Sequence, residues 1–432
     1  MKRMGLIQNS SQLGTTGLRK SALSIIEAGL FAIQPDNVMS SAFHFHDPHL
    51  VIKNNEFDLS NYERVFLVGI GKGSAYYANK IEEILGHYLF TGYVIDVTPE
   101  NFSRVNYVAG THPLPSEGNL RFTENVLDKM GHLSERDLVI VLICGGGSAM
   151  LVSPAKISLE TLVDVNEALL KSGADIIEMN TVRKHLSNVK GGGLAKALYP
   201  ATVASLIFSD VPGNDLSFIA SGPTVKDETS IEDAKKIIDK YSLFKKLELS
   251  EDVLVETPKE EKYFQKVKNI LTLSNVTALE AMKLRGEELG LNVEILSDKL
   301  QGEARDVGRE LVEKLSENKL ILAGGETTVT VKGAGGRGGR NQEVALGAIT
   351  SNIDEKSLVI SIASDGYDNT EFAGGIGDGE TLKHSQAHNL DPNSYLANND
   401  SYTFFEKSGD GIVCGRLPSN VADLFIALKT NG

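Results

Sequence analysis

At 432 residues the chain is longer than one hydrophobic core usually supports, so two domains of ordinary size are expected. Hydrophobic residues at 41% and charged residues at 23% describe an ordinary globular protein and exclude a largely disordered one. A formal net charge of −14 argues against a nucleic-acid or anionic-membrane partner, since either calls for a basic face.

The longest apolar runs, such as Leu138 to Ile143, fall far short of the roughly 20 residues that cross a bilayer, and they read as buried strands. Met1 to Gln12 lacks the apolar core of a secretory signal, and two distant cysteines, Cys144 and Cys414, make no disulfide framework. A cytoplasmic protein with reduced thiols is expected.

Thr15 to Phe31 has helical apolar spacing and ends before Pro35. Arg64 to Gly69 reads as a strand, Ser74 to Leu85 as a helix and Tyr93 to Val97 as a second strand, which together make a βαβ unit. A helix over Asn119 to Met130, a strand ending at Cys144, helices across Leu159 to Leu186 and a strand ending at Phe208 continue the alternation. The pattern predicts an α/β fold with a mostly parallel sheet covered on both faces. Lys226 to Lys268 turns charged and polar and reads as a connection, which places a boundary near residue 245 and gives domains 1–245 and 246–432. The second half is expected to run from the strand NILTLS through the helix Val276 to Leu289, the strand NVEIL, the helix Ala304 to Leu315, KLILAGG, a short strand TTVTVKG, a Gly-rich loop, a helix from Asn341 and the strand LVISIAS.

Gly-rich turns after apolar strands are the most informative feature: GIGKGS at Gly69 to Ser74, CGGGSA at Cys144 to Ala149 and KGGG at Lys190 to Gly193, with GAGGRGGRNQE at Gly333 to Glu343. At the carboxyl ends of parallel strands, glycine lets the backbone approach an anion without a Cβ in the way. This marks Gly71, Gly145, Gly146, Gly147, Ser148, Lys190, Gly191 and Gly192 as candidate substrate or nucleotide contacts, although each turn alone reads equally as a tight connection. No GxxxxGK[ST] string is present, and Ser74 stands where GxGxxG needs its third glycine. Asp96, at the end of the next strand, keeps a nicotinamide reading open.

Lys72 lies between two glycines, where an anion-facing amine gains a charge-assisted contact. Arg340 in GGRNQE can clamp a carboxylate or phosphate at two points, and Arg337 reads better as a surface residue. Asp210 in SDVPGND and Asp365 in SDGYDN follow strands and suit magnesium binding or proton acceptance, or else N-cap and turn duties. His112 in GTHPLP can reach an anion. His44, His46 and His49 read as surface residues.

The strings GIGKGS, GTHPLP, CGGGSAML, NTVRKHLSNVKGGGLA, SDVPGNDLSFIASGPT, GGRNQE and YLANNDSYTFFEKSGD, in this order over residues 15 to 428, resemble the glycerate 2-kinase family. The resemblance implies a Rossmann-like N-terminal α/β domain and a C-terminal MOFRL-type α/β domain with a mixed sheet. It also implies ATP-dependent phosphorylation of D-glycerate at the 2-hydroxyl, and the charge on the ATP phosphates calls for Mg²⁺ or another divalent cation. The family's substrate-side Lys falls on Lys72 and its GGRNQE Arg on Arg340. The chain departs from the family pattern at Cys144, at Gly193 in place of an Arg, and in the stretch DGYDNTEFAGGIGDG. Loss of the Arg at Gly193 removes a positive charge beside the expected phosphate site. Lys72, Arg340 and Asp210 are the expected catalytic groups, with Asp210 and Asp365 for the metal. The rival enzyme is an NAD(P)H-dependent hydroxypyruvate reductase, and the rival non-enzyme is a two-lobed anion binder. A homo-oligomer is compatible with the sequence.

Overall fold

The computed structural model describes residues 5–332 and 335–431, so Gly333 and Ala334 of the Gly-rich loop lie outside the described residues. The chain forms two compact units. One comprises Met39–Ser209 and Asn214–Thr272; the other comprises the described residues up to Val38, Asp210–Gly213 and those from Leu273 onward. The expected division near residue 245 does not coincide with this partition. The strand Val267–Leu273, read as opening the second half, is the edge strand of the first sheet. No helix among the described residues is long and apolar enough to cross a membrane.

The first unit holds a six-stranded sheet in the order Val105–Ala109, Leu89–Asp96, Arg64–Ile70, Asp137–Ile143, Thr202–Phe208 and Val267–Leu273. Its registered pairings are parallel. Every residue of Asp137–Ile143 is buried, as a run of LVIVLI covered on both faces requires. From Arg64–Ile70 the chain builds outward in one direction, then returns to lay Asp137–Ile143 on the other side. The order therefore reverses between these two strands, and the turns leaving them are GIGKGS and CGGGSA. Ligands of open α/β sheets collect at such a reversal, outside the strands' carboxyl ends.

Lys226 to Lys268, read as a connection, is packed structure. The helix Ile231–Lys240 buries Ala234 and Ile238 with Leu243, Val253 and Leu254 against Leu162, Val165 and Leu169 of the helix Leu159–Lys171. Charges on its outer face hid the apolar stripe at i, i+3 and i+7. A small antiparallel sheet, Phe43–His46, His49–Ile52 and Asn55–Asp58, carries His44, His46 and His49, with His49 paired to Glu56 at 2.9 Å.

The second unit has a mixed sheet in the order Asn292–Leu300, Lys319–Gly325, Asp423–Lys429, Ser357–Ala363, Gly374–Asp378 and Gly411–Ile412, parallel at its first pairing and antiparallel elsewhere. The helix Gly17–Ala32 belongs here, with Gly29 closely packed on Met282 of the helix Asn275–Glu288. The described part of TTVTVKG, Thr327 to Lys332, is not a strand. Apart from one bridge at Thr328, its backbone is irregular, and the Glu303 carboxylate takes the amide and hydroxyl of Thr330 in place of a sheet partner.

Candidate active site

The two turns at the sheet reversal interlock backbone to backbone. Gly71 has φ +103°, and a Cβ there would lie 2.5 Å from the Cys144 carbonyl oxygen, so only glycine fits. The Lys72 amide donates to the Gly145 carbonyl at 2.8 Å, and the Gly71 amide to Ile95 at 3.1 Å. Asp96, fully buried, accepts the amides of Ala75 at 2.9 Å and Val97 at 2.6 Å. Burial pushes this carboxyl up, against the pull of those amides. Asp96 thus secures the Lys72 turn and does not face a ribose, which removes the signal that had kept the nicotinamide reading open.

Lys72 itself is exposed, and its Cε lies 3.3 Å from where a Cβ on Gly146 would stand, with the His112 ring on the same side. Gly146 has φ +79°. In this second turn the Gly147 amide donates to Cys144 at 3.2 Å, whereas the amides of Gly145, Gly146 and Ser148 make no hydrogen bond with any described residue. Three open amides beside an ammonium group can take an oxyanion. The loop carrying His112 is fastened to this turn by Asn119, a buried side chain that sequence reasoning missed. Its amide group donates to Thr111 and Ala149, both at 3.0 Å, and its oxygen accepts the Thr111 amide at 3.0 Å.

The third turn supports the second. The Gly191 and Gly192 amides, expected to face a nucleotide, donate instead to the Ser221 and Gly222 carbonyls at 2.9 and 2.8 Å, and the Gly193 amide donates to Lys190 at 3.0 Å. Lys190 is buried, and its Nζ donates to the carbonyls of Ser148 at 2.7 Å and Leu151 at 3.3 Å. Burial, reinforced by the Arg183 charge, brings this amine down to about 7. Ala220 and Ser221 hold left-handed φ values of 50° and 61°, a conformation costing about 1–3 kcal/mol per residue. Ser221 links onward, donating to Asn180 at 2.8 Å and standing 3.3 Å from the Ser148 hydroxyl.

In the second unit, Arg340 opens the helix Arg340–Ile349, and its fork is engaged within the chain. Nε and Nη2 donate to Asp423 at 2.5 and 3.1 Å, and Nη1 to the exposed Glu326 at 2.5 Å. Burial, with the Asp368 carboxylate adding to it, pushes Asp423 up to about 7 against the pull of Arg340. Asp368 accepts the Asn341 and Gln342 amides at 3.2 and 2.9 Å and so caps this helix. Arg337 stacks on Tyr402 and pairs with Glu371 at the surface. Asp365 is half-buried and accepts the Tyr367 amide at 3.1 Å, a turn duty. Asp210, also half-buried, begins the four residues 210–213 that group with this unit. No group of three or more His, Cys, Asp or Glu among the described residues is gathered as a metal site.

Residues 21–254 match a family model described as a domain of unknown function, DUF4147, and residues 319–423 match the MOFRL family. The D-glycerate 2-kinase of Thermotoga maritima is 38% identical over 429 residues, covering 95% of this chain and 98% of that protein. The chain belongs to the glycerate 2-kinase family. The glycerate 2-kinase of Pyrococcus horikoshii is 35% identical, with 96% and 98% covered. The crystal structure of a glycerate kinase from Thermotoga maritima superposes with a TM-score of 0.83 at 36% identity, covering 95% of this chain and 99% of that one.

Against the glycerate 2-kinase pattern, Gly193 gains a physical explanation. A Cβ at this buried position would lie 2.2 Å from the Asn188 carbonyl oxygen, so the local backbone has closed over the space that a side chain would need. Gly193→Arg is therefore expected to lower stability by about 1–3 kcal/mol, the usual cost of overpacking, and not to strengthen nucleotide binding. Denaturant unfolding together with ADP titration of the variant checks both.

Proposed function

We propose that this chain is an ATP-dependent glycerate 2-kinase, making 2-phosphoglycerate and ADP from D-glycerate. The observation that carries the reading is the Gly145–Ser148 turn: three amides open toward an anion, at the reversal of a parallel sheet, with Lys72 beside them. Phosphoryl transfer asks a protein for positioning and charge neutralisation, and this turn offers both. Lys72 contacts the transferring phosphoryl group, the turn amides hold phosphate oxygens, and Lys190 fixes the turn from behind through the Ser148 and Leu151 carbonyls.

Magnesium fits as a partner of the nucleotide. Such an ion keeps waters and takes one or two carboxylates plus phosphate oxygens, and two separate half-buried carboxylates, Asp210 and Asp365, suit that demand better than a resident cage. When bound it neutralises phosphate charge. Asp210 or Asp365 also receives the proton of the C2 hydroxyl. A kinase drawing on ATP belongs in the cytoplasm, with Cys144 and Cys414 as buried thiols.

Arg340 meets the substrate anion through Nη1, which Glu326 releases, while Asp423 aims the guanidinium from the other edge. Asp423 is ionised above its value of about 7 and neutral below it, and protonation weakens the two-point contact. kcat/KM is accordingly expected to fall as pH drops below 7, at most about tenfold per unit, and to level off at the rate of the protonated form. Asp423→Asn should lose this limb and stay at the lowered rate, which a pH–rate profile of both proteins will test.

The reaction is tested by phosphorus NMR of the product formed from D-glycerate and MgATP. A resonance split by one methine proton identifies 2-phosphoglycerate; one split by two methylene protons identifies the 3-isomer and overturns the proposed position of attack.

A further inference from the structure

A buried lysine and a half-buried arginine in the parallel-sheet unit, Lys190 and Arg183, meet no carboxylate among the described residues. Among the described residues the Lys190 amine meets main-chain carbonyls alone. Arg183, on the helix Ile176–His185, donates from Nε to the Asn166 side-chain oxygen at 2.6 Å. The Asn166 amide group is itself anchored on the Leu162 carbonyl at 2.8 Å, which fixes its oxygen toward Arg183. Neither terminal nitrogen of Arg183 meets a carboxylate or carbonyl among the described residues. Elsewhere in the same unit a buried Lys184 pairs with Asp227 at 3.0 Å, and Arg64 with a buried Asp137 at 2.7 Å.

From the helix that carries Arg183 a chain of contacts leads to the Gly145–Ser148 turn. Asn180, three residues earlier and therefore on the same face, reaches the Ser221 hydroxyl at 2.8 Å, and that hydroxyl neighbours Ser148. Burial lowers the Arg183 guanidinium, and its charge acts on Lys190, the amine that holds the Ser148 carbonyl. A guanidinium without a carboxylate partner, close enough to depress a buried amine, destabilises a fold unless an anion joins them.

We propose that Arg183 is a phosphate ligand, its two terminal nitrogens taking an oxyanion of the nucleotide beside the Gly145–Ser148 turn. The inference rests on the kinase reading for the identity of the ligand, though not for its chemistry. Two parallel N–H donors match a phosphate edge, and Lys190 adds charge from behind. Arg183 then supplies, from another helix, a positive charge of the kind that Gly193 lacks.

The experiment is Arg183→Met, with Arg183→Gln in its place should the first fail to fold. Each variant is compared with the wild type for thermal stabilisation by inorganic tripolyphosphate, ADP affinity, glycerate KM and melting temperature without ligand. A charge-assisted contact of this kind corresponds to about a 10- to 100-fold loss of ADP affinity. Expected with it are loss of the tripolyphosphate effect, an unchanged glycerate KM and an unliganded melting temperature equal to or above wild type, because an uncompensated cation has been removed. A lowered melting temperature with unchanged ADP and tripolyphosphate binding would make Arg183 structural and overturn the proposal, as would a rise in glycerate KM alone. Should the wild type bind tripolyphosphate through Arg183 yet form no ADP from ATP and D-glycerate, the kinase reading fails and the phosphate site stands.

Discussion

Lys72→Met is expected to lower kcat by about 10²- to 10³-fold, the usual consequence of removing one positioned donor from a developing charge. The side chain is exposed and supports no core neighbour; the turn that carries it is held by main-chain contacts to Gly145 and Ile95 and by Asp96. Melting temperature is therefore expected to stay at the wild-type value. If the amine meets the phosphoryl group mainly in the transition state, kcat and kcat/KM fall together; if it only holds the ground-state substrate, KM rises with kcat unchanged. The first pattern is expected, because the lysine stands beside the open amides of the Gly145–Ser148 turn. Steady-state kinetics decide, and wild-type constants in a folded variant would remove Lys72 from the site.

Arg19→Leu is expected to destabilise the second unit by about 3–5 kcal/mol, the cost of leaving buried charge without its partner. Arg19, 1% exposed on the helix Gly17–Ala32, grips Asp378 with two contacts of 2.7 Å and Asp410 with one of 2.8 Å. Burial pushes Asp378 up, but Arg19 more than reverses this and holds the carboxyl below the ordinary aspartate range. In the wild type that contribution is present above the unfolded-state value and is lost only as pH falls through the lower folded value. Without Arg19, only the Thr381 amide and hydroxyl, at 2.8 and 3.0 Å, oppose the upward push of burial on Asp378, and the folded variant is expected to bind protons more readily than the wild-type fold. Its deficit should therefore narrow as pH is lowered from 7 toward 5, and adding Asp378→Asn should recover part of it at pH 7. Denaturant unfolding across this range is the measurement; a deficit independent of pH would show that packing, not charge, is what Arg19 provides.

How much could be read from the chain depended on whether the deciding partner was local. LVIVLI announces a strand buried on both faces, and its neighbour RVFLVG with the glycines of GIGKGS places Lys72 at a strand end; both readings stand in the structure. Family strings pointed to the glycerate 2-kinase family before any geometry did. A Gly-rich turn looks alike, however, whether its amides face a ligand or a carbonyl. For Gly191 and Gly192 the answer lies some thirty residues away, in the left-handed segment at Ala220 to Gly222. Arg340 was legible as a two-point clamp, but not that Asp423, late in the chain, fills two of its donors. Asp96 kept a rival reading open for the same reason, since its position in the sequence does not show that it accepts the Ala75 amide. Arg183, inside NTVRKHLSNVKGGGLA, carries no local mark, because nothing nearby in sequence says that a cation will lack a counter-ion.

The most direct measurement incubates the purified protein with D-glycerate and MgATP, and separately with hydroxypyruvate and NADH, following ADP and absorbance at once. The result expected is ADP formed only when glycerate is present, one for each phosphoglycerate, with NADH untouched. Oxidation of NADH by hydroxypyruvate with no glycerate-dependent ADP would contradict the kinase reading outright.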